Sequence, residues 1–371
     1  MSGMLATDAR PLADAALFCI KEVAMPEAKD GSGRGWIDAP YTAATRDALI
    51  QKIGEQQRRV AAVAAAGLGG RMDRGQHQKL LLGARGTLRL FDRVPEAVKR
   101  GPFAAPFALP VACRFSNGQP CPFADKMADV RGVALKFFSP QGVESDVLAT
   151  NEGGRSHARD AESFMAFADI LVAKIERGAT GAFEELLKEL REGSLTAGEA
   201  THIGAVLLKE VGLHSVRSLA LESYWGSVVK LGDAAFKYSL RPHPDTSASG
   251  ESEGDGPDYL RDELLSRLAR GPVKWQLCVQ LYVDEANTPV NDAATVWNSA
   301  PAVVGELDIV SRPSDDDERT INQMAFNPGN GFDPLGITHA RADVYAASAR
   351  NRADRGLLSP EAAREYLAGR G

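Results

Sequence analysis

The chain has 371 residues, 44% of them hydrophobic and 25% charged, with a formal net charge of -6. That is the profile of an ordinary soluble globular protein, long enough for one large domain with extensions or for two domains. A net negative chain is a poor partner for nucleic acid or an anionic membrane. No apolar run approaches the ~18 residues of a membrane span, and the first residues lack a basic start followed by an unbroken apolar core. Cys19, Cys113, Cys121 and Cys278 are scattered and form no CxxC pair, which argues against metal–thiolate chemistry and for a reducing, cytoplasmic setting.

In chain order, residues 12–25 and 42–66 read as helices, the second ending in an Ala/Val-rich run stopped by Gly67. Segment 80–91 then alternates as a strand does. A short helix is predicted over 95–100, strands over 108–116 and 132–139, and helices from 155–167 on to about 191 and over 196–211. Strands return over 228–240 and 273–283, on either side of a Ser/Gly/Asp/Glu-rich loop at 243–257. A last strand at 302–309 precedes a turn-rich run at 327–336, and no internal repeat is visible. The strands lie too close together for regular βαβ units, so the expectation is an α+β protein with an antiparallel barrel.

The stretch 340–352, ARADVYAASARNR, reads as a helix rich in alanine. Helical spacing places Arg341, Tyr345 and Arg352 along one face. A free phenol loses its proton near pH ~10, and a neighbouring cation favours the phenolate. Tyrosine is one of the few side chains that ligate haem iron, although a solvated Arg/Tyr face is the commoner reading of such a row.

Further stretches give this helix a context: Arg74-Gly-Gln-His77-Gln-Lys79, Cys113-Arg114-Phe115-Ser116-Asn117-Gly118, the run 128–138 around Arg131-Gly132, and Asn322-Gln323-Met324-Ala325-Phe326-Asn327-Pro328. In this order, from Arg74 to Arg352, the set resembles the haem catalases, and especially their smaller catalase-related peroxidase branch. The resemblance implies an antiparallel β-barrel of catalase type with flanking helices and without the C-terminal domain of full-size catalases. It implies residues 71–355 as the haem domain, after an N-terminal helical extension at 1–70 and before a short C-terminal helix or tail at 356–371.

Residue by residue, the resemblance makes His77 the distal acid–base group and Ser116 its orienting hydroxyl. It makes Asn151, in a D-x-x-x-x-N segment starting at Asp146, the distal amide. Tyr345 matches the iron ligand of a haem b and Arg341 the partner of its phenolate. Arg74, Arg114 and Arg352 match cofactor contacts and are expected to converge on the two propionates, and Phe164 matches an aromatic of the pocket. An imidazole titrating near pH ~6.5 can take a proton from one peroxide oxygen and return it to the other. Asp129 and Arg131 read as a structural pair, Trp225 as core packing, and His202, His214, His243 and His339 as surface residues.

The pattern is also broken in places. After Asn151 the chain reads Glu152-Gly153-Gly154-Arg155-Ser156-His157, polar and glycine-rich where catalases carry a proline and paired phenylalanines. Val228 stands where a catalase has a histidine supporting the proximal arginine, and Ala349 replaces another histidine. The long wrapping segments are missing, which argues against an interwoven tetramer while leaving a homo-oligomer open. The leading expectation is a peroxidase acting on hydrogen or organic peroxides with a small-molecule electron donor, and with modest catalase activity. The alternatives are rearrangement of a fatty hydroperoxide or oxidation of a specialised metabolite at the same site, and a haem-binding protein without catalysis. A carrier has no use for a distal base such as His77.

Overall fold

In a β-strand successive side chains point to opposite faces, and that alternation organises the molecule. The computed structural model describes residues 35–38, 41–67, 74–127, 129–209, 216–246 and 256–369. The strands are β1 (Leu80–Leu90), β2 (Phe107–Asn117), β3 (Arg131–Phe138), β4 (Glu144–Thr150), β5 (Tyr224–Leu231), β6 (Ala234–Pro242), β7 (Val273–Leu281) and β8 (Ala302–Ile309). Each pairs antiparallel with the next and β8 returns to β1, so the eight close into a barrel. The seam between β4 and β5 is short, Ala149↔Gly226 and Thr150↔Trp225. A two-residue strand, β9 (Asp333–Pro334), adds to β5 from outside.

Closure removes the strand edges, and the interior is packed solid. Phe115, Phe137, Tyr224, Phe236, Tyr238 and Trp275 fill it together with Leu81, Leu88 and Leu135. The helices are α1 (Ala43–Gly67), α2 (Ala161–Glu192), α3 (Ala197–Lys209), α4 (Tyr259–Arg270), α5 (Asp315–Asn322), α6 (Ile337–Asn351) and α7 (Pro360–Ala368). Helices α1, α2 and α6 share an apolar cluster of Leu49, Ile53, Phe164, Met165, Val344 and Ala347. Among the described residues no helix is long and apolar enough to cross a membrane.

Most of the predicted elements form, with differences that have local causes. The single strand expected over 228–240 is a hairpin, turned at Gly232 (φ 59°) in the left-handed region that favours glycine. Strand β4 escapes a hydrophobicity reading because its outward residues are mostly polar, Glu144, Asp146 and Thr150, with Asp146 fully buried. Helix α5 is almost wholly charged; a Ser314/Asp317 capping box and four acidic residues in its first turn stabilise it instead. Helix α4, within a stretch left unassigned, buries Leu260, Leu264 and Leu268. The helix expected over 95–100 is one 3-10 turn, Glu96–Val98. The helix expected over 12–25 and positions 247–255 of the expected loop lie outside the described residues.

The turn before α6 is sewn to the barrel by one buried carboxylate. Asp146 Oδ2 accepts from Lys136 Nζ at 2.9 Å, from the Asn327 backbone N–H at 2.8 Å and from Asn330 Nδ2 at 2.9 Å. Without Asp146, Lys136 keeps its ion pair with Glu144, but the Asn327 N–H and the Asn330 amide lose their acceptor. Asp146→Ala should therefore lower unfolding free energy by about 1–3 kcal/mol in a denaturant titration, and no measurable loss would mean that the turn is held by other contacts.

Candidate active site

With the barrel interior filled, the cavity lies on its outer face. Cys113, Phe115, Val133, Leu135, Val147 and Ala149 point inward; the residues between them form a floor. The register sets Arg114 beside Ala134 and Leu148, and Ser116 beside Gly132 and Thr150. The small residues of β3 keep the middle of this floor low.

His77 lies on it. Its φ of 55° is left-handed, the one positive φ at a non-glycine among the described residues, a backbone state costing on the order of 1–3 kcal/mol. Three bonds hold it there. Its N–H donates to Gly118 O at 2.9 Å, its carbonyl accepts from the Arg114 guanidinium at 2.9 Å, and its Nδ1 lies 3.1 Å from Ser116 Oγ. A Cβ on Gly132 would sit 2.7 Å from His77 Cε1, so glycine is required beneath the ring. Burial, reinforced by Arg114, pushes the imidazole down to about 4 against the weaker pull of Glu152. At neutral pH His77 is uncharged, with Nδ1 engaged and Nε2 left to serve a ligand.

Helix α6 forms the facing wall with Arg341, Val344, Tyr345 and Ser348, followed by Arg352 at its C-cap. Helix α1 contributes Ile53 and Gln56, and α2 contributes Phe164, Met165 and Ala168, around a space of about 1220 Å³. Arg341 donates to Ser156 Oγ at 2.7 Å and to Ser227 Oγ, and its guanidinium lies 5.5 Å from the Phe164 ring centre. A bulge in β5 between Trp225 and Val228 puts Ser227 and Val228 on the outer side together. Ser227 thereby supplies a support for Arg341 that Val228 cannot. Burial raises the Tyr345 phenol; Arg341, Arg114 and Arg74 pull it down without prevailing. The neighbouring cation expected to favour the phenolate does so, but within the protein alone burial is the larger effect.

Arg74, Arg114 and Arg352 converge from distant parts of the chain. Arg74 donates to Asn322 Oδ1 (3.2 Å), Asn322 O (2.8 Å) and Met324 O (3.1 Å). Arg114 Nε donates to the same Asn322 Oδ1 at 3.1 Å, and Arg352 reaches Met324 O at 3.4 Å. The last turn of α5 and the residues after it thus anchor all three, a role the Asn322-Gln323-Met324 stretch did not disclose in the sequence.

Asn151 is not brought into the cavity. Its Oδ1 accepts from the Arg131 N–H at 2.7 Å and its Nδ2 donates to Glu222 at 2.8 Å, both of them bonds that fix the end of β4. The next residue enters instead: Glu152 lines the cavity with His157, Nδ1 to Oε1 2.8 Å, and accepts from Thr150 Oγ1 at 2.9 Å. Burial would raise the Glu152 carboxyl, but His157, Thr150 and Arg341 together hold it down to about 2. Trp225, expected in the core, lines the cavity half-buried, and Arg155 points outward. His339, expected without a partner, meets Asp38 at 2.7 Å. The Arg131–Asp129 contact, 3.5 Å and buried, is the structural pair expected.

No protein-family model matches the chain. It is 29% identical over 316 residues to the catalase-related peroxidase of Mycolicibacterium paratuberculosis (strain ATCC BAA-968 / K-10), across 75% of this chain and 91% of that protein. Among solved structures it is similar to a fungal catalase (21% identity, TM-score 0.57), a bacterial catalase (18%, 0.55) and catalase A from Saccharomyces cerevisiae (18%, 0.58). These alignments cover 82%, 99% and 82% of this chain, which spans 61%, 68% and 65% of the respective catalases. A closed eight-stranded antiparallel barrel with flanking helices is thus the catalase fold. In sequence the chain is similar to a catalase-related peroxidase, and in fold to the catalases.

The buried imidazole makes a prediction independent of catalysis. An unfolded histidine takes its proton near pH ~6.5, whereas folded His77 takes it only at about 4. The unfolded state then binds more protons between those values, so stability falls as pH drops through that window, by at most ~1.4 kcal/mol per pH unit. In His77→Gln that slope should shrink. A His77 ring signal titrating near neutrality by NMR would contradict the assignment.

Proposed function

We propose that the chain is a haem peroxidase that cleaves hydrogen peroxide or organic hydroperoxides. The observation that carries this reading is the neutral His77 ring fixed over Gly132, in one cavity with Tyr345 and three convergent guanidiniums. These residues fit a haem b. The low floor at Gly132 and Ala134 leaves room for a flat macrocycle. Arg114 and Arg352 suit its two carboxylates, with Arg74 beside them, and Tyr345 offers an oxygen ligand from α6.

When bound, the haem supplies the redox-active iron that takes up the oxidising equivalents of the peroxide. The protein's own groups do the rest. Tyr345 holds the metal, and Arg341, braced by Ser156 and Ser227, offsets the charge of its phenolate. His77 Nε2 accepts the proton from one peroxide oxygen and delivers it to the departing one, with Ser116 fixing the ring through Nδ1. Phe164 walls the pocket. Asn151, whose amide is committed to Arg131 and Glu222, has no part in this scheme; Glu152 and His157 are the polar groups that this loop presents. The reading assigns residues 71–355 to the haem domain, with α1 of the preceding extension walling the same cavity.

The wall also bears on the substrate. Disproportionation of hydrogen peroxide is favoured by a narrow, dry channel. Here an ionised Glu152, His157 and a half-buried Trp225 stand where paired phenylalanines would exclude water and larger molecules. Organic hydroperoxides and reducing substrates should therefore reach the cavity. Tyr345→Phe should purify largely free of haem or with an altered absorption spectrum; wild-type occupancy and spectrum would remove the ligand assignment. His77→Ala should keep its haem but cleave peroxide about 10²–10⁴-fold more slowly, a loss that a non-catalytic carrier would not show. Oxygen release and oxidation of a phenolic donor, measured on one preparation, should favour the donor. Oxygen release at typical catalase rates with negligible donor oxidation would overturn the substrate assignment while leaving His77 in place.

A further inference from the structure

Next to the main cavity, and sharing walls with it, lies a smaller one of about 20 Å³, lined by Thr150, Glu152, Ser156, Ser227, Lys237 and Arg341, among others. Two of its walls are buried cations. Lys237, on β6, is 4% exposed, yet among the described residues its ammonium meets a backbone carbonyl and an aromatic ring rather than a carboxylate. Its one hydrogen bond, to Thr295 O, is 3.5 Å long, at the limit of what counts as one. Trp297 lies 5.1 Å from the ammonium. Arg341 is hydrogen-bonded to the hydroxyls of Ser156 and Ser227, with Glu152 and Tyr345 as its nearest opposite or potential counter-charges. An ammonium removed from water without a counter-charge is strongly unfavourable.

The acids nearby do not resolve this. Glu152 is already paired with His157 and Thr150. Asp292 draws on Lys237 only from a distance, its oxygens occupied by Ala294 N and Thr295 Oγ1. Burial, aided by repulsion from Arg341, lowers the ammonium to about 8, which leaves it charged at neutral pH. Both serine oxygens accept from Arg341, so their hydroxyl hydrogens remain to be donated. The cavity thus combines two cations and two O–H donors with one carboxylate, Glu152, whose oxygens are turned to Thr150 and His157; the excess of cations and donors suits a small acceptor bearing negative charge.

We propose that this cavity is a binding site for a small monovalent anion, of the size of chloride or formate, held between Lys237 and Arg341. The bound anion compensates Lys237 and braces the arginine that stands behind Tyr345. It is a separate site from the peroxide cavity, and its test does not depend on turnover.

The experiment uses the full chain with its haem, in a halide-free sulfonate buffer. The thermal midpoint is followed against sodium chloride, sodium formate and, at matched ionic strength, sodium sulfate. The wild type should gain several degrees along a saturating curve with chloride or formate, as expected for ligation of the folded state. Sulfate, larger and doubly charged, should give only a shallow ionic-strength slope. Lys237→Met should abolish the saturating part while being at least as stable as wild type without anion, because the uncompensated charge is gone. Lys237→Gln, which keeps a donor for Thr295, should behave alike and covers the case in which methionine perturbs the fold. A bromide-soaked crystal should show anomalous density between Lys237 and Arg341, distinguishable from any ion elsewhere in the protein. Identical chloride and formate curves in wild type and both variants, or an equal response to sulfate, would overturn the proposal.

Discussion

The close approach of the His77 ring to the backbone of Gly132 is the contact on which the candidate site depends. It requires three things at once: no side chain on residue 132, a left-handed backbone at His77, and outward-facing Ser116 in register beside Gly132. Only the second is local to the histidine. The register comes from β2 and β3, and those strands are held in place because the barrel closes around an interior with no space left for a ligand. A filled barrel displaces chemistry to its outer face, and there only helices can complete a cavity. Helices α1, α2 and α6 do so through one shared apolar cluster.

Electrostatics then sorts the groups of the cavity into distinct states. Burial alone disfavours every charge, lowering histidine and raising carboxyl and phenol. For His77 the opposing pull of Glu152 is too weak to matter, and the nearby Arg114 adds to burial. For Glu152 the order reverses, because His157, Thr150 and Arg341 together outweigh burial. The cavity thus holds one neutral imidazole and one ionised carboxylate a few residues from a second imidazole. Environment, rather than residue type, separates their roles.

Much of this was legible in the sequence, and the limits have physical causes. Strands with inward apolar residues could be read from alternation, as could the row of Arg341, Tyr345 and Arg352 from helical spacing. Arg74, Arg114, Ser116 and His77 were recognisable because each sits in a short fixed stretch. Asn151 was not, because the loop after it is one residue longer than expected and the end of β4 sends Glu152 rather than Asn151 to the cavity. Trp225 and Ser227 carry no signal of their own, since a bulge decides which way they face. Asn322 is a single polar residue at a helix end, and its importance is that two arginines share it. Strand β4 and helix α5 were missed because both rest on buried or capped polar groups, which a hydrophobic pattern cannot report.

Several irregular features of the backbone meet at the cavities. The left-handed His77, the bulge in β5 and the two-pair seam between β4 and β5 border the main one, and the left-handed Gly154 the smaller. Elsewhere the barrel pairs continuously over seven or more residues on several seams. Regular pairing would alternate Thr150, Trp225 and Ser227 strictly and leave no opening between β4 and β5. The short seam, by contrast, lets residues of both strands wall the main cavity and the smaller one behind Arg341. Strain of this kind persists only where the surroundings over-determine it. Here the surroundings are the three bonds on His77 and the paired serines on Arg341. The sheet gives up regular hydrogen bonding at one seam and gains there a wall of polar side chains that an unbroken barrel could not present.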